Sequence, residues 1–500
     1  MVIAMHNTPS FLWYDLETFG RDPRRSRIAQ LACLRTDGDL DPLGEPETFL
    51  CRLDEDILPS PRSCIVTGIT PQRSEREGLA EPVFADRAHG LMSQPDTCIA
   101  GFNNIRFDDE FLRHLFYRNF HDPYEREWKN GNSRFDLLDA LRMAYALRPD
   151  GLGWPLREDG APSFRLADLA AANGIAHQAH DAEGDTLATV ALARRLKEAQ
   201  PKLWHYLLRL RDKRAVERLL EIGVPILHVS GRYPASRGCA AIVLPLAWLR
   251  DGQQSVLAFD LSVDPQMLLD LGRRPAPDLD AMREQLGALP PYALKRIRPN
   301  RLPALARLEH VREEELRRLG LDLRHCHEHA RLLKPHLAAI GEMLRVLFTR
   351  DRSLAPDPEL ALYERFLPDP DRSLLPLIRA APPSALASFA ARLQDPRLRT
   401  LLFRRRARHF PETLDAEERR RWDHFCRRRP HDHDLSEITA AEFFAELAAM
   451  EAEGADPEIL EDLRSWASRK ALTPVPAQPD SPAHAPTPPP SGTEARPPKD

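Results

Sequence analysis

Cysteine is scarce in this chain, with seven residues at positions 33, 51, 64, 98, 239, 326 and 426 out of 500. They lie far apart and form no C-x-x-C pair. That argues against a disulfide framework and a cysteine-based zinc site, and it predicts a reducing, cytoplasmic setting. No apolar run reaches the roughly 18 residues that a membrane-spanning helix needs, which excludes a membrane protein. The opening Met1-Val2-Ile3-Ala4-Met5-His6 lacks the basic-then-apolar layout of a secretory signal, so export is not expected. Lysine is scarce too, supplying 8 of 70 basic residues against 62 arginines. Such a bias reads as a GC-rich genome, and it lowers the weight of any Arg cluster as a binding site. The net charge of −5 offers no global attraction to nucleic acid, so binding of that kind must use local patches.

What is present suits a soluble globular protein, with 42% hydrophobic and 29% charged residues. Five hundred residues exceed one hydrophobic core, so two to four domains are expected. Short apolar runs at 11–14, 27–35, 48–53 and 98–102 read as strands, with turns at Asp37-Gly38 and Asp41-Pro42. Helical periodicity follows at 108–118, 135–147, 165–173 and 183–198. The pattern predicts a mixed α/β domain with helices packed on one sheet. Between 222 and 262 the runs 224–230, 240–244 and 255–260 are β-rich and broken by Gly and Pro, which suggests a small barrel or sheet. From about 305 the chain turns helical. Residues 391–430 carry 13 Arg against 6 acids, and 431–470 carry 11 acids against 3 bases. The tail 474–500 holds 10 Pro in 27 residues and reads as disordered.

Asp15-Leu16-Glu17 ends the first apolar run. Alternation along a strand puts both carboxylates on one side, where they repel each other unless a cation neutralises them. Hard oxygen ligands in that arrangement suit Mg²⁺ or Mn²⁺ and phosphoryl transfer. A solvent-facing strand end is the plain alternative. Asn103-Asn104-Ile105-Arg106-Phe107-Asp108 then leads from a strand into a helix, with Asp108 or Asp109 placed to reach the sheet's end or simply to cap the helix dipole. Finally, His180-Asp181-Ala182-Glu183-Gly184-Asp185 opens an amphipathic helix, with Asp181 as N-cap and Asp185 one turn in.

Taken in order, D-x-E, a later Asp and H-x4-D resemble the DEDDh exonucleases, a group with an RNase H-like fold. The strings FLWYDLETFG, GFNNIRFDDEF, NSRFDLLDALRMAYALRP, SFRLADLAAANGI and HDAEGDTLATVALA are similar to the bacterial exonuclease I family. The likeness continues in LHVSGRY, VLPLAWL, LYERFLPDPDR and LLFRRRARHFPETLDAEERRRW, and so spans about 8–470. The resemblance implies an exonuclease domain over 1–201, an SH3-like β-barrel domain over 202–355 and an all-helical C-terminal domain over 358–470. It also implies 3′→5′ hydrolysis of single-stranded DNA to nucleoside monophosphates, in recombination and mismatch repair. Asp15, Glu17, Asp108 and Asp185 would hold two Mg²⁺ ions roughly 3.5–4 Å apart, with Mn²⁺ a possible substitute. His180 would be general base. A monomer is implied as well, with the acidic C-terminal tail of single-stranded DNA-binding protein as a partner bound through Arg148.

Substrate contacts are expected from Arg113, Tyr124, Trp128, Arg142 and Arg165, with Glu17 also at the substrate and Arg237 a weaker candidate. Arg pairs phosphates, and aromatic faces stack on any base. Tyr124 and Trp128, spaced i and i+4, also fit one packed helical face. Arg404-Arg405-Arg406-Ala407-Arg408 reads either as a DNA clamp or as a solvated helix face paired with Glu417 and Glu418. The histidine stretches at 325–329 and 431–433 are read as adventitious. A nuclease acting mainly on RNA ends, and a catalytically silent DNA-binding protein, are the alternative functions.

Overall fold

Alternation in the first apolar run sets the architecture. In β1 (Ser10–Thr18), Leu12, Tyr14 and Leu16 face one way, Phe11 and Trp13 the other, and all five are buried. A strand apolar on both sides must be central. β1 pairs antiparallel with β2 (Ile28–Thr36), and β2 antiparallel with β3 (Glu47–Leu50). On its other edge β1 runs parallel to β4 (Thr97–Gly101) and β4 parallel to β5 (Ser133–Asp136), giving the order β3-β2-β1-β4-β5. The computed structural model describes residues 10–177, 181–250, 254–273, 278–348 and 354–472. His180 and the Pro-rich tail 474–500 lie outside the described residues.

Helices cover both faces of the sheet. After α1 (Pro61–Thr67) and α2 (Pro71–Glu77), helices α3 (Glu81–Met92) and α4 (Asp108–Arg118) lay Phe84, Phe111, Leu115 and Phe116 on the Leu12 face. α5 (Leu137–Leu147), α6 (Leu166–Ala172), α7 (Ala182–Ala199) and α8 (Pro201–Arg209) share the Trp13 core through Leu141, Leu169, Val190 and Trp204. The helix expected over 135–147 is corrected by this arrangement. Residues 133–136 form a strand, and Asp136 caps α5 by accepting from the Leu138 N–H at 3.0 Å. Four residues ahead of a strongly apolar helix are too few to leave an alternating signature.

α9 (Lys213–Leu219) leads to a second, antiparallel sheet of β6 (Ile226–Val229), β7 (Ala240–Arg250), β8 (Gln254–Asp260), β9 (Leu294–Ile297) and β10 (Ala304–Arg307). Its order is β10-β6-β7-β8-β9. Helices α10 (Gln266–Gly272), α11 (Leu279–Gly287), α12 (Glu313–Arg318), α13 (Leu323–Leu333) and α14 (Leu337–Phe348) complete this middle domain. The C-terminal domain is helical, comprising α15 (Asp369–Ala380), α16 (Pro396–His409), α17 (Ala416–Arg428), α18 (Ala440–Ala452) and α19 (Pro457–Arg469). Phe443, Leu447 and Trp466 of α18 and α19 share a core with Phe19, Ile57 and Cys64 of the first domain. No helix among the described residues is long and apolar enough to cross a membrane.

The Arg-rich run is neither clamp nor solvated face. Arg404, Arg405 and Arg406 are buried, and only Arg406 makes the expected kind of pair, with Glu418 at 2.6 Å. Arg408 holds both oxygens of Asp56 at 2.8 Å and Glu359 at 2.7 Å. Arg27 also donates to Glu359 at 3.0 Å, Arg118 to Glu81 at 2.7 Å and Arg429 to Asp56 at 2.5 Å. Asp56 of the first domain is thus neutralised by Arg408 and Arg429 of the third, and Glu359 of the third by Arg27 of the first, which fastens the two together. Burial alone would raise Glu81, but Arg118 and Arg27 hold its carboxyl at about 2. Its stabilisation is therefore complete above its ordinary 4.5 and is lost only as pH falls from there toward 2. Arg408→Ala leaves buried carboxylates unpaired and should cost on the order of 3–5 kcal/mol. A chemical denaturation midpoint is the check, and an unchanged midpoint would show that the ion cluster does not hold the domains.

Candidate active site

The strand pattern that buries Trp13 also aims Asp15 and Glu17 toward the face on which α7 packs. Asp181 caps α7 by accepting from the Gly184 N–H at 3.2 Å, which fixes Asp185 in the first turn. Oxygens of Asp15, Glu17 and Asp185 consequently lie within 4.8 Å of one another. Asp108 starts α4 and is buried. The loop before it is tightly built. A side chain on Gly101 would approach the Tyr14 carbonyl to 2.8 Å, and Asn103 takes a left-handed φ of 64°. Asp136 accepts from the backbone N–H groups of Asn103 at 3.0 Å and Ile105 at 3.4 Å, pinning that loop.

Electrostatics separates this half-buried cluster from the neighbouring Asp109. Burial, then the charges of Asp108, Asp185, Glu17 and Asp181, pushes Asp15 well above the carboxylate range. Burial followed by Asp185 and Asp181 lifts Glu17 to about 7. Asp108 is raised well above its usual value, mainly by burial. No Lys or Arg pairs with Asp15 or Glu17 among the described residues. Asp109, the rival to Asp108, behaves oppositely. Burial would raise it, but Arg126, Arg134 and Arg113 outweigh that and hold it well below its usual range. It binds Arg126 at 2.6 Å, Arg134 at 2.7 Å and the Tyr14 hydroxyl at 2.8 Å, so it is committed to structure. A carboxylate cluster short of positive charge and made of hard oxygen donors fits divalent cations. The other close trio of metal-ligating groups among the described residues, Asp54, Glu81 and His409, is already filled by arginines. The histidine stretches form no such trio there.

His180 lies outside the described residues, and the sequence reading passed over His177, whose Nε2 contacts Asp185 Oδ1. Among the expected substrate contacts, Arg165 is exposed and has no side-chain partner among the described residues. Trp128 is 65% exposed. It sits between two short 3₁₀ turns, Glu125–Glu127 and Lys129–Gly131, so it and Tyr124 do not share a helical face. Tyr124 packs near Phe366 of the C-terminal domain, whose ring is 70% exposed. Phe366 was missed because nothing within LYERFLPDPDR shows that it comes to lie near Tyr124. Arg113 is buried against Glu110 and Glu127, Arg142 pairs with Asp139 at 2.9 Å, and Arg237 pairs with Asp260 at 3.0 Å. Arg148 pairs with Glu315 at 2.6 Å.

A groove of about 850 Å³ runs from Ile105 and Arg106, just before Asp108, into the middle domain. Arg232, Lys295, Arg298 and Arg301 line it. Burial, then the charges of Arg106 and Arg232, pulls Lys295 down to about 8. The sequence hid this patch, since its members come from three separate segments of an acidic chain.

Known proteins match the chain from its first domain to its third. The family model described as Exonuclease matches residues 12–193, the Exonuclease I SH3-like domain 211–350 and the Exonuclease I C-terminal domain 356–470. Exodeoxyribonuclease I of Escherichia coli (strain K12) is 41% identical over 425 residues, covering 83% of this chain and 88% of the relative. The solved E. coli exonuclease I in complex with a dA16 oligonucleotide superposes with a TM-score of 0.84 at 37% identity, covering 92% of this chain and 99% of that one. A structure of SSB/exonuclease I in complex with the inhibitor CFAM gives a TM-score of 0.83 at 38% identity, over 93% of this chain and 100% of that one.

Raised carboxyl pKa values mean that the metal-free site holds protons which the unfolded chain releases. By linkage, the Glu17 contribution to stability falls as pH rises from 4.5 to about 7. Bound cations must displace those protons, so Mg²⁺ should raise Tm more at pH 8 than at pH 6. Asp15→Asn should shrink the increment at pH 8. Equal increments at both pH values, read by differential scanning fluorimetry, would contradict the assignment.

Proposed function

The chain belongs to the exonuclease I family, and on that premise we propose that it hydrolyses single-stranded DNA from the 3′ end, releasing deoxynucleoside 5′-monophosphates. The observation that carries this reading is the convergence of Asp15, Glu17 and Asp185, with Asp108 near enough to act on Asp15, beside a groove rich in positive charge. Those four carboxylates would hold the divalent ions, Mg²⁺ in the first instance with Mn²⁺ able to substitute. Bound there, two such ions make water a nucleophile at neutral pH and offset charge on the phosphate and the departing 3′ oxygen.

The chain's own side chains do the rest. His180, five residues before Asp185, takes the proton of the attacking water as general base. Arg165, exposed and uncommitted, holds a backbone phosphate, and Trp128 offers a stacking face. None of these contacts distinguishes one base from another, which suits a strand degraded regardless of sequence. We infer a role in recombination and mismatch repair.

For the partner, we infer that the acidic tail of single-stranded DNA-binding protein docks beside Arg148. Supporting this, Arg148 donates to the His310 carbonyl at 3.4 Å, and the adjoining Leu308 and Glu309 line a pocket of about 460 Å³. Val224, Pro225 and Ala330 also line it, and its basic groups are Arg307, Arg331 and Lys334, a match for an acidic peptide.

A 5′-labelled single strand with Mg²⁺ should shorten from its 3′ end, while a blunt duplex and a matched RNA strand are spared and EDTA stops the reaction. Faster shortening of the RNA would overturn the substrate. His180→Ala should lower turnover by roughly 10²–10⁴-fold with DNA binding retained, and a near-normal rate across pH would remove the general-base role. Arg148→Ala should weaken binding of a fluorescent tail peptide, and unchanged affinity would move the docking site elsewhere.

A further inference from the structure

Glu110 stands two residues beyond Asp108 on α4, and all three domains bond to it. From its own domain it accepts from Arg113 Nη1 at 2.9 Å, and from the middle domain it accepts from Arg301 Nη2 at 2.5 Å. From the C-terminal domain it accepts the Tyr363 hydroxyl on its second oxygen. Arg113 ties these bonds together. The same guanidinium donates to Tyr363 at 3.3 Å and holds Glu127 at 2.7 and 2.9 Å.

Each arm is separately braced. The turn Pro299–Arg301 seats on the first domain at two further points, with Arg301 donating to the Ile105 carbonyl at 3.4 Å and Asn300 accepting from Arg134 at 2.8 Å. That turn ends on Leu302 at a φ of 46°, a conformation a branched side chain adopts only under constraint. The Tyr363 segment is held by Arg397, which donates to the carbonyls of Ala361 at 2.5 Å and Arg365 at 3.1 Å. The junction therefore joins two rigid supports through one carboxylate, beside the reacting centre. Without that charge, Arg301 would lose its carboxylate partner and Arg113 would keep only Glu127.

We propose that Glu110 is a positioning residue, a clasp that fastens the middle and C-terminal domains to the nuclease domain beside Asp108 and keeps the enzyme on its strand between successive cuts. This rests on the exonuclease reading above. The test uses the full chain, a 5′-labelled 60-nucleotide strand and a large excess of unlabelled strand added with Mg²⁺, so that shortening reports a single encounter. Tyr363→Phe, Glu110→Gln and the double variant are compared with wild type, with trinucleotide hydrolysis measured alongside. Nucleotides removed per encounter should fall at least threefold in each single variant and no further in the double, because both changes open one clasp. Trinucleotide hydrolysis by Tyr363→Phe should stay within twofold of wild type. Unchanged run length in Tyr363→Phe, losses that multiply in the double variant, or equal losses on the short and long strands would overturn the clasp. Glu110→Gln is expected to be the less stable variant, and Tyr363→Phe keeps the test decisive if it fails to fold. Wild type that does not shorten the strand would instead sink the exonuclease reading.

Discussion

Four carboxylates crowd the end of the central strand, and repulsion among Asp15, Glu17, Asp108 and Asp185 is the constraint to which the surrounding structure answers. Such a cluster is costly to bury without opposite charge. The fold nevertheless assembles it from three elements, β1, α4 and α7, each held by its own device. β1 is fixed by its two-sided apolar packing, α4 by a loop pinned to Asp136, and α7 by the Asp181 cap. Among the described residues, no Lys or Arg of that scaffold pairs with Asp15 or Glu17 to relax the repulsion. The site is built to receive positive charge from outside the chain.

Asp109, Asp56, Glu81 and Glu359 of the same chain are treated in the opposite way. Asp109, one residue from Asp108, is neutralised by two arginines, and Asp56, Glu81 and Glu359 are enclosed by five more. The contrast makes Asp15 and Glu17 informative, since neither pairs with a Lys or Arg among the described residues of a chain rich in arginine. A complementary excess lies in the groove, where Lys295 is depressed by burial and by neighbouring arginines. Negative charge awaiting cations and positive charge awaiting phosphates meet at the 103–110 segment, which belongs to both.

Much of this was legible in the sequence because the decisive signals are local. D-x-E on an apolar run, the turn into Asp108 and the cap at Asp181 each declare their geometry within a few residues. The α/β order and the nuclease strands follow from runs long enough to alternate. β5, β9 and β10 were missed because four residues with charges among them give no period. Roles set by long-range partners were hidden as well. Arg408 reads as a candidate for DNA until Asp56 arrives from a distant segment and Glu359 from another to occupy it, while Arg113 is occupied nearer home by Glu110 of its own helix and by Glu127. Tyr363 and Phe366 gain meaning only when the C-terminal domain is laid against the first.

The central claim is that the carboxylate cluster exists to hold divalent cations at the 3′ end of a strand. Counting bound Mn²⁺ by electron paramagnetic resonance, with a non-hydrolysable phosphorothioate strand in place, tests it most directly. The account predicts two ions per chain in the wild type and fewer in Asp15→Asn and in Asp185→Asn, with Asp109→Asn unchanged if it folds. Wild-type protein that binds the strand but no stoichiometric Mn²⁺, or an Asp15→Asn protein that binds as much as wild type, would contradict it.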